Sequence, residues 1–457
     1  MNSSVYTLLI VESPIIAQII QKLSPSSIYV LATEGYCWKP RYDMETQQIK
    51  AVADPTKTTI RKEMKEQAQW ANSIVIATDS DPSGDFIAWS IARFMKSNTV
   101  KRGRIQSLSK SGIFSMLSDI QEIETDRLET RLKNKYLIKN EWFRQKMWPE
   151  LYLSGLITVF GENNTYTSFL DENDSIFKSS APVNCTLDEL IEIKSIKNSD
   201  HYPVYHPLST YTMIGLIVEK ELAVNYLDAQ NLLQQLFETT LHNSNESLIS
   251  YPRTDARAFY SETWDLMQTQ FLKLGIEGRL KPTFLRDIAD MEAPHESIHP
   301  LDLSNIPDQI MGELTSTIGK LYELIYNTTL KSISIPEPLN ETYRNELLQE
   351  VFFYSDLNHR SAGNLFSLRP CITIDELGSK MNQLGVLKPS VFGKSLDDWI
   401  EKGWIQIKNG AVIPGKPILQ DIHKSSTIST VLNELKRLSD NSSLTSETIR
   451  TLFTSYS

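Results

Sequence analysis

Two groups of residues in this chain have the types and spacing for phosphoryl chemistry. The first is Glu12, directly after the apolar run Leu8-Leu9-Ile10-Val11, with the loop Asp79-Ser80-Asp81-Pro82-Ser83-Gly84-Asp85, which follows a second apolar run. Carboxylates gathered at neighbouring strand ends repel one another unless a cation lies between them. Mg²⁺ suits such a group, because it takes hard oxygen ligands and keeps positions for water and phosphate oxygens. Asp79, Asp81, Glu12 and Asp85 are the candidate ligands, and Gly84 lets the chain turn close to them. Alone, Asp-x-Asp fits a surface loop and helix cap better; its pairing with Glu12 favours the cation site. The second group is Leu248-Ile249-Ser250-Tyr251-Pro252-Arg253-Thr254-Asp255. A tyrosine hydroxyl titrates near pH 10, so as a nucleophile it needs a nearby cation or base. Arg253 offers a planar, permanently charged fork to phosphate oxygens and to the charge that builds on a phosphorane. A strand would set residues 251 and 253 on one face. The plainer reading is a half-buried strand tyrosine beside a surface arginine.

These residues need elements to position them. Leu8–Val11 and Ser73–Thr78 read as buried strands, each meeting a loop, with helices over Ile15–Leu23 and Phe86–Met95. Continuous apolar strands separated by helices imply a parallel sheet. Ligands of such sheets gather at the carboxyl ends of the strands, where Glu12, Asp79 and Asp81 lie. Residues 107–153 read as helical and charged. Turn clusters with β-like pieces fill 154–200, and helices return over 207–330. Residues 336–366 read as irregular or β-like. Over 372–436 the pattern is helix, helix, hairpin and helix, and Asn409-Gly410 is the two-residue turn signal of the hairpin. Ser390 opening a helix would present backbone N–H groups to a phosphate, with Lys388 adding charge; an ordinary cap fits as well.

Composition narrows the class. The chain has 457 residues, 40% hydrophobic and 22% charged, which is enough for two to four domains. No run of about 18 apolar residues occurs, so no membrane span is expected. Cys37, Cys185 and Cys371 are far apart, give neither a zinc pair nor a disulfide framework, and fit a reducing cytoplasm. The net charge of −10 opposes DNA binding in bulk, although a local basic lining overrides it. The Lys/Arg cluster between Lys101 and Lys146 reads equally as such a lining or as a solvated helix face.

The string LLIVESP followed by IVIATDSDPSGDFIAW resembles the Toprim domain of type IA DNA topoisomerases. Arg104-Ile105-Gln106-Ser107-Leu108-Ser109-Lys110 resembles the stretch that closes that domain. Tyr251-Pro252-Arg253-Thr254-Asp255 resembles the family's nucleophile motif. It is preceded by Pro207-Leu208-Ser209-Thr210-Tyr211-Thr212 and followed by Ala293-Pro294-His295-Glu296-Ser297-Ile298-His299-Pro300, both similar to family segments. Gly385-Val386-Leu387-Lys388-Pro389-Ser390 resembles a further one. The motifs keep family order from residue 8 to about residue 420. Several departures remove charge. Ser83 stands where a third acid is usual and Asp85 where Glu is. Ile16 and Gln18 replace lysines, His299 replaces an arginine, and the Ser-x-Gly-Arg-Val-Gln string expected near Gly155 is missing.

The resemblance implies a toroidal core of α/β and α elements, divided into seven parts. Residues 1–120 would form a Toprim domain, 121–153 a helical base segment, and 154–206 and 335–368 two parts of a reduced β arch. Residues 207–334 would be a helical domain carrying Tyr251, 369–440 a winged-helix-like base and 441–457 a tail without a zinc ribbon. It implies a Mg²⁺-dependent, ATP-independent topoisomerase. Tyr251 would attack one strand of single-stranded or negatively supercoiled DNA and stay linked to the 5′ phosphate. Glu12 would handle a proton, Arg253 the phosphorane, and His295 would assist. Arg104, Lys110, Thr254, Lys388 and Ser390 would contact DNA, with no protein partner identified. The alternative is a decayed relative from a mobile element that binds DNA or protein without cutting.

Overall fold

The computed structural model describes residues 6–455 apart from 44, 47, 79–81, 96–99, 106–109, 124–128, 131, 135, 139–150, 162–164, 173–175, 197–205, 243–245, 276–284, 287–294, 335–341, 345–350, 354–364 and 442–444. Two compact units divide the chain. The first is Met1–Lys146 with Phe237–Tyr251 and Leu435–Ser455; the second is Met147–Leu236 with Pro252–Glu434 and Tyr456–Ser457.

In the first unit the strands are β1 (Tyr6–Val11), β2 (Ile28–Ala32), β3 (Trp38–Asp43), β4 (Gln48–Ala53), β5 (Ala71–Ile76), β6 (Val100–Arg102) and β7 (Gln121–Glu122). Five of them form a sheet in the order β2-β1-β5-β6-β7, parallel except for the last pair. β3 and β4 form a separate antiparallel pair. β1 is flanked on both sides, with Ile10 opposite Leu31 and Ile76. Its run Leu8–Val11 is fully buried, as a flanked parallel strand requires. Helix α1 (Pro14–Leu23) starts where the sequence dictates. Pro14 takes the first helical position, where its missing N–H costs nothing, and the Ser13 carbonyl accepts from Ala17 N at 3.0 Å. Helix α2 is Thr58–Trp70, and α3 spans Pro82–Met95, four residues longer at its start than the pattern from Phe86 predicts. Leu8, Ile10, Ile74 and Ile76 pack with Ile87, Ala88 and Ile91 of α3 and Met64 of α2 in one core. Each such side chain contributes about 1.5–3 kcal/mol on burial.

The second unit holds an eight-stranded antiparallel sheet made of β8 (Thr165–Leu170), β9 (Ile176–Asn184), β10 (Ile191–Ile196), β13 (Thr342–Arg344), β14 (Val351–Phe353), β15 (Leu365–Thr373), β16 (Ile405–Lys408) and β17 (Ala411–Pro414). The short pair β11 (Phe259–Tyr260) and β12 (Leu285–Arg286) lies apart from it. β15 pairs in turn with β10 over Leu365–Leu368, with β8 over Arg369–Cys371 and with β17 over Ile372–Thr373. One strand therefore joins the pieces predicted as an arch to the hairpin at 405–414. That hairpin turns at Asn409 and Gly410, with φ of 48° and 83°, the left-handed pair a tight two-residue turn requires.

One expectation is corrected by the helix Leu151–Gly161. The predicted change to β-like structure at Ser154 comes later, at Thr165. Leu153–Phe160 are all buried, so the segment shows no alternating face by which helix and strand could be told apart.

Candidate active site

Glu12 leaves the carboxyl end of β1 half-buried, and its carbonyl accepts from Glu34 N at 2.8 Å. β5 is the neighbouring strand, and the Ala77 N–H donates to Ile10 O at 2.7 Å. The acidic loop thus leaves the same sheet edge, one strand over from Glu12. Asp79 and Asp81 lie outside the described residues. Thr78 is buried and donates through Oγ1 to Gly84 O at 2.8 Å, which ties the residue before the loop to its far side. The Arg102 guanidinium, also buried, donates to Ile76 O at 3.2 Å and to Thr78 Oγ1 at 2.8 Å. Its other nitrogen lies 3.6 Å from Asp85 Oδ1 in the first turn of α3. Of the candidate ligands, Glu12 and Asp85 lie among the described residues, and their carboxylates are hard oxygen donors of the kind that Mg²⁺ takes. Among the described residues no group of three metal-ligating side chains is found.

Beyond Arg102, the Gly103 N–H donates to Ile76 O at 2.9 Å, and the backbone there runs close under Met116 and Val75. Arg104 is exposed. Helix α4 (Lys110–Ser118) starts at Lys110.

Tyr251 ends the segment Phe237–Tyr251, which clusters in the first unit. Its ring is half-buried and meets Phe237 edge to face, with centroids 5.7 Å apart at 84°. The Ser247 hydroxyl is 2.5 Å from Phe237 O and 2.9 Å from Ile249 O, which pins the turn before Tyr251 to the end of the helix Tyr226–Glu238. Residues 251–258 form no strand, so the expected shared face of residues 251 and 253 is corrected to an irregular path held by side chains.

In the second unit that path is fastened at Thr210. Its hydroxyl donates to Pro252 O at 2.7 Å and accepts from Thr254 N at 2.7 Å, while its own N–H donates to Thr254 O at 2.8 Å. Arg253 between them is exposed. Thr254 is buried, and its hydroxyl donates to His295 O at 3.3 Å and accepts from Ala256 N at 3.0 Å. The Thr254 hydroxyl, expected to contact DNA, is thus engaged within the protein. His295 is buried, and Ala293-Pro294 before it lie outside the described residues. The Glu296 carboxylate accepts from Tyr260 N at 3.1 Å and Thr263 Oγ1 at 3.0 Å, at the start of the helix Ser261–Lys273. His299 Nδ1 donates to Ser297 O at 2.8 Å, and its Nε2 lies 3.8 Å from Glu296. His299 is therefore a buried bracing residue where the resemblance leads one to expect an arginine.

Sequence reasoning did not single out Asp375, Arg257 or Asn382. Asp375 accepts from Ser209 Oγ at 2.9 Å and Thr212 Oγ1 at 2.7 Å and pairs with Arg257. Asn382 donates to Asp255 at 2.5 Å. Both belong to the helix Ile374–Gln383, which thereby grips the segment after Arg253. The repeated polar residues in Tyr-Pro-Arg-Thr-Asp-Ala-Arg were the available signal; their partners, over a hundred positions away, were not. Lys388 precedes, and Ser390 lies within, a short 3-10 turn, Pro389–Val391, ahead of the helix Phe392–Glu401. Gln230 accepts from Gly393 N at 2.9 Å and donates to Ser390 O at 2.6 Å. One backbone donor expected to face phosphate is thus already taken.

Comparison with known proteins places these features. A Toprim domain model matches residues 7–108. DNA topoisomerase 1 of Mycoplasmoides gallisepticum is 22% identical over 422 residues, covering 71% of this chain; the chain spans only 58% of that relative's length. Full-length topoisomerase I from Thermotoga maritima matches in structure with a TM-score of 0.65 and 16% identity, over 98% of this chain and 89% of the other. Over residues 7–108 the chain thus carries a Toprim domain, and along nearly its whole length it shares the fold of a full-length topoisomerase I.

Proposed function

We propose that the protein cuts and rejoins one DNA strand through Tyr251, with the acidic loop holding Mg²⁺ and with relaxation of negatively supercoiled DNA as the outcome. The observation that carries this reading is the membership of the first unit. The segment ending in Tyr251 clusters with the Toprim sheet, although more than a hundred residues separate them in sequence. Shared membership of one unit is what a phenol nucleophile and a carboxylate-held cation acting on one phosphate would require.

The residues divide the work as follows. The Tyr251 hydroxyl forms a bond to phosphorus, the 3′ oxygen leaves, and a 5′ phosphotyrosine keeps the bond energy for resealing. Glu12 carries a proton at the sheet edge. Arg253, exposed on its fastened loop, donates to the phosphorane oxygens as charge builds there. His295 stands ready for proton traffic near neutral pH. Asp79 and Asp81, with Glu12, would hold the cation, which would supply charge neutralisation at the phosphate. Arg104, Lys110, Lys388 and Ser390 would guide the strand.

Supercoiled plasmid with Mg²⁺, followed by a denaturant trap for covalent adduct, tests this directly. Wild type should relax the plasmid and leave adduct, and Tyr251→Phe should do neither while still binding DNA. Adduct persisting in Tyr251→Phe would show that the nucleophile lies elsewhere. Binding without cleavage in both proteins would favour a non-cutting accessory role.

A further inference from the structure

We infer that Asp375 is a positioning residue for Arg253, setting the backbone from which that guanidinium reaches a phosphate. The inference rests on the reading of Arg253 as the donor to the phosphorane and goes beyond it by naming what aims it. Asp375 stands in the first turn of the helix Ile374–Gln383, which is anchored on two sides. On one side Glu376 accepts from Thr167 Oγ1 at 2.9 Å and Ser168 Oγ at 2.8 Å, both on β8, and from Lys178 Nζ on β9 at 2.7 Å. On the other, Gly378 lies so close under the Tyr211 ring that a Cβ there would come within 2.4 Å of it. The helix Thr210–Glu219 is thereby laid against a fixed neighbour.

Asp375 acts where these two helices meet. Its carboxylate accepts from Ser209 Oγ at 2.9 Å and Thr212 Oγ1 at 2.7 Å, and it pairs with Arg257. Ser209 caps the helix Thr210–Glu219, accepting from Thr212 N at 3.2 Å. Thr210, next to that cap, holds Pro252 O and Thr254 N, each at 2.7 Å. Arg257 lies three residues past Thr254. One carboxylate therefore fixes the clamp and also the far end of the clamped segment. Arg253 lies inside that span and is exposed, so the backbone that carries it sets its aim. A long side chain spends less time off target when its root is fixed, and a donor held near its reacting geometry speeds a reaction without tightening ground-state binding. The Asp375 carboxylate faces protein donors, so its effect on DNA passes through Arg253.

A double-mutant cycle on the full chain tests this, reading the rate of covalent adduct formation at saturating single-stranded oligonucleotide with Mg²⁺, and the oligonucleotide's dissociation constant by anisotropy. Arg253→Gln should slow adduct formation about a hundredfold, the cost of losing a transition-state donor. Asp375→Asn should slow it about tenfold and leave the dissociation constant within about twofold. In the Arg253→Gln background, Asp375→Asn should change the rate by less than about twofold, because no guanidinium is left to aim. A role confined to stability would slow both backgrounds alike. Thr212→Val, which keeps shape and removes one of the held hydroxyls, should slow the reaction about threefold with the same dependence on Arg253. Far-UV circular dichroism shows which variants fold; if Asp375→Asn does not, Thr212→Val decides. Equal slowing in both backgrounds overturns the positioning role. A slow Arg253→Gln beside Asp375→Asn at the wild-type rate counts against this inference alone. The wild-type rate in Arg253→Gln removes the donor reading and this inference with it, and so does oligonucleotide binding without adduct in every protein, wild type included.

Discussion

Glu376 shows how one carboxylate can join distant segments. Burial works against its charge, but Lys178 Nζ at 2.7 Å, the Thr373 N–H at 2.8 Å and the Ser168 hydroxyl at 2.8 Å outweigh that cost and hold it at about 2 instead of the ordinary 4.5. Folding favours its ionised form. The stabilisation is therefore full above pH 4.5 and drains away as pH falls towards about 2. Lys178→Met should lower stability by about 2 kcal/mol at pH 7, between the values for exposed and buried pairs. The loss on acidification from pH 5 to pH 3 should also be smaller in the variant than in wild type. Thermal unfolding at the three pH values measures both effects, and identical acid slopes would remove Glu376 from the account. The candidate chemical residues were readable in the sequence because their types carry meaning on their own. The residues that brace them, such as Thr210, Arg102 and Asp375, were not, because a bracing role depends on a partner that only folding supplies.

At the scale of elements, the sequence was most legible where local rules coincide with tertiary demands. β1 and β5 follow from continuous apolar runs, and the hairpin turn follows from Asn409-Gly410. It was least legible at Leu151–Gly161 and Tyr251–Ala258, where burial or side-chain bonds to remote segments decide the backbone. The helix Phe392–Glu401 offers a test of such remote control. A Cβ at Gly393 would run into the carbonyl of Tyr226, which is backbone and cannot swing aside, and then into Gln230. Asp397 of the same helix accepts from Tyr226 N at 3.1 Å and Leu227 N at 2.8 Å, so the two helices are fixed face to face. Alanine improves helix propensity by about 1 kcal/mol. Overpacking against fixed atoms costs about 1–3 kcal/mol. Gly393→Ala should therefore destabilise the chain, by about 1 kcal/mol net, seen as a lower urea midpoint at an unchanged slope. A raised midpoint would mean that the two helices part easily.

For the whole molecule, the proposed function requires a chain of net charge −10 to hold a polyanion. Its bulk charge repels DNA, so affinity must come from a few local cations, and their number is measurable through salt. Each phosphate neutralised on single-stranded nucleic acid contributes about −0.7 to the slope of log affinity against log salt concentration. Arg104, Lys110, Arg253 and Lys388 are the candidate contacts, and Arg104 and Arg253 are exposed. Four such contacts give a slope of about −3. Fluorescence anisotropy with a labelled single-stranded oligonucleotide, in monovalent salt with divalent ions chelated, reads it. Arg253→Gln should make the slope shallower by about 0.7, whereas a variant of a basic residue already paired inside the fold, such as Lys178→Met, should leave it unchanged. A slope near zero would mean that phosphates are not neutralised at all, and one beyond about −6 would place most of the contacts on basic residues outside these four.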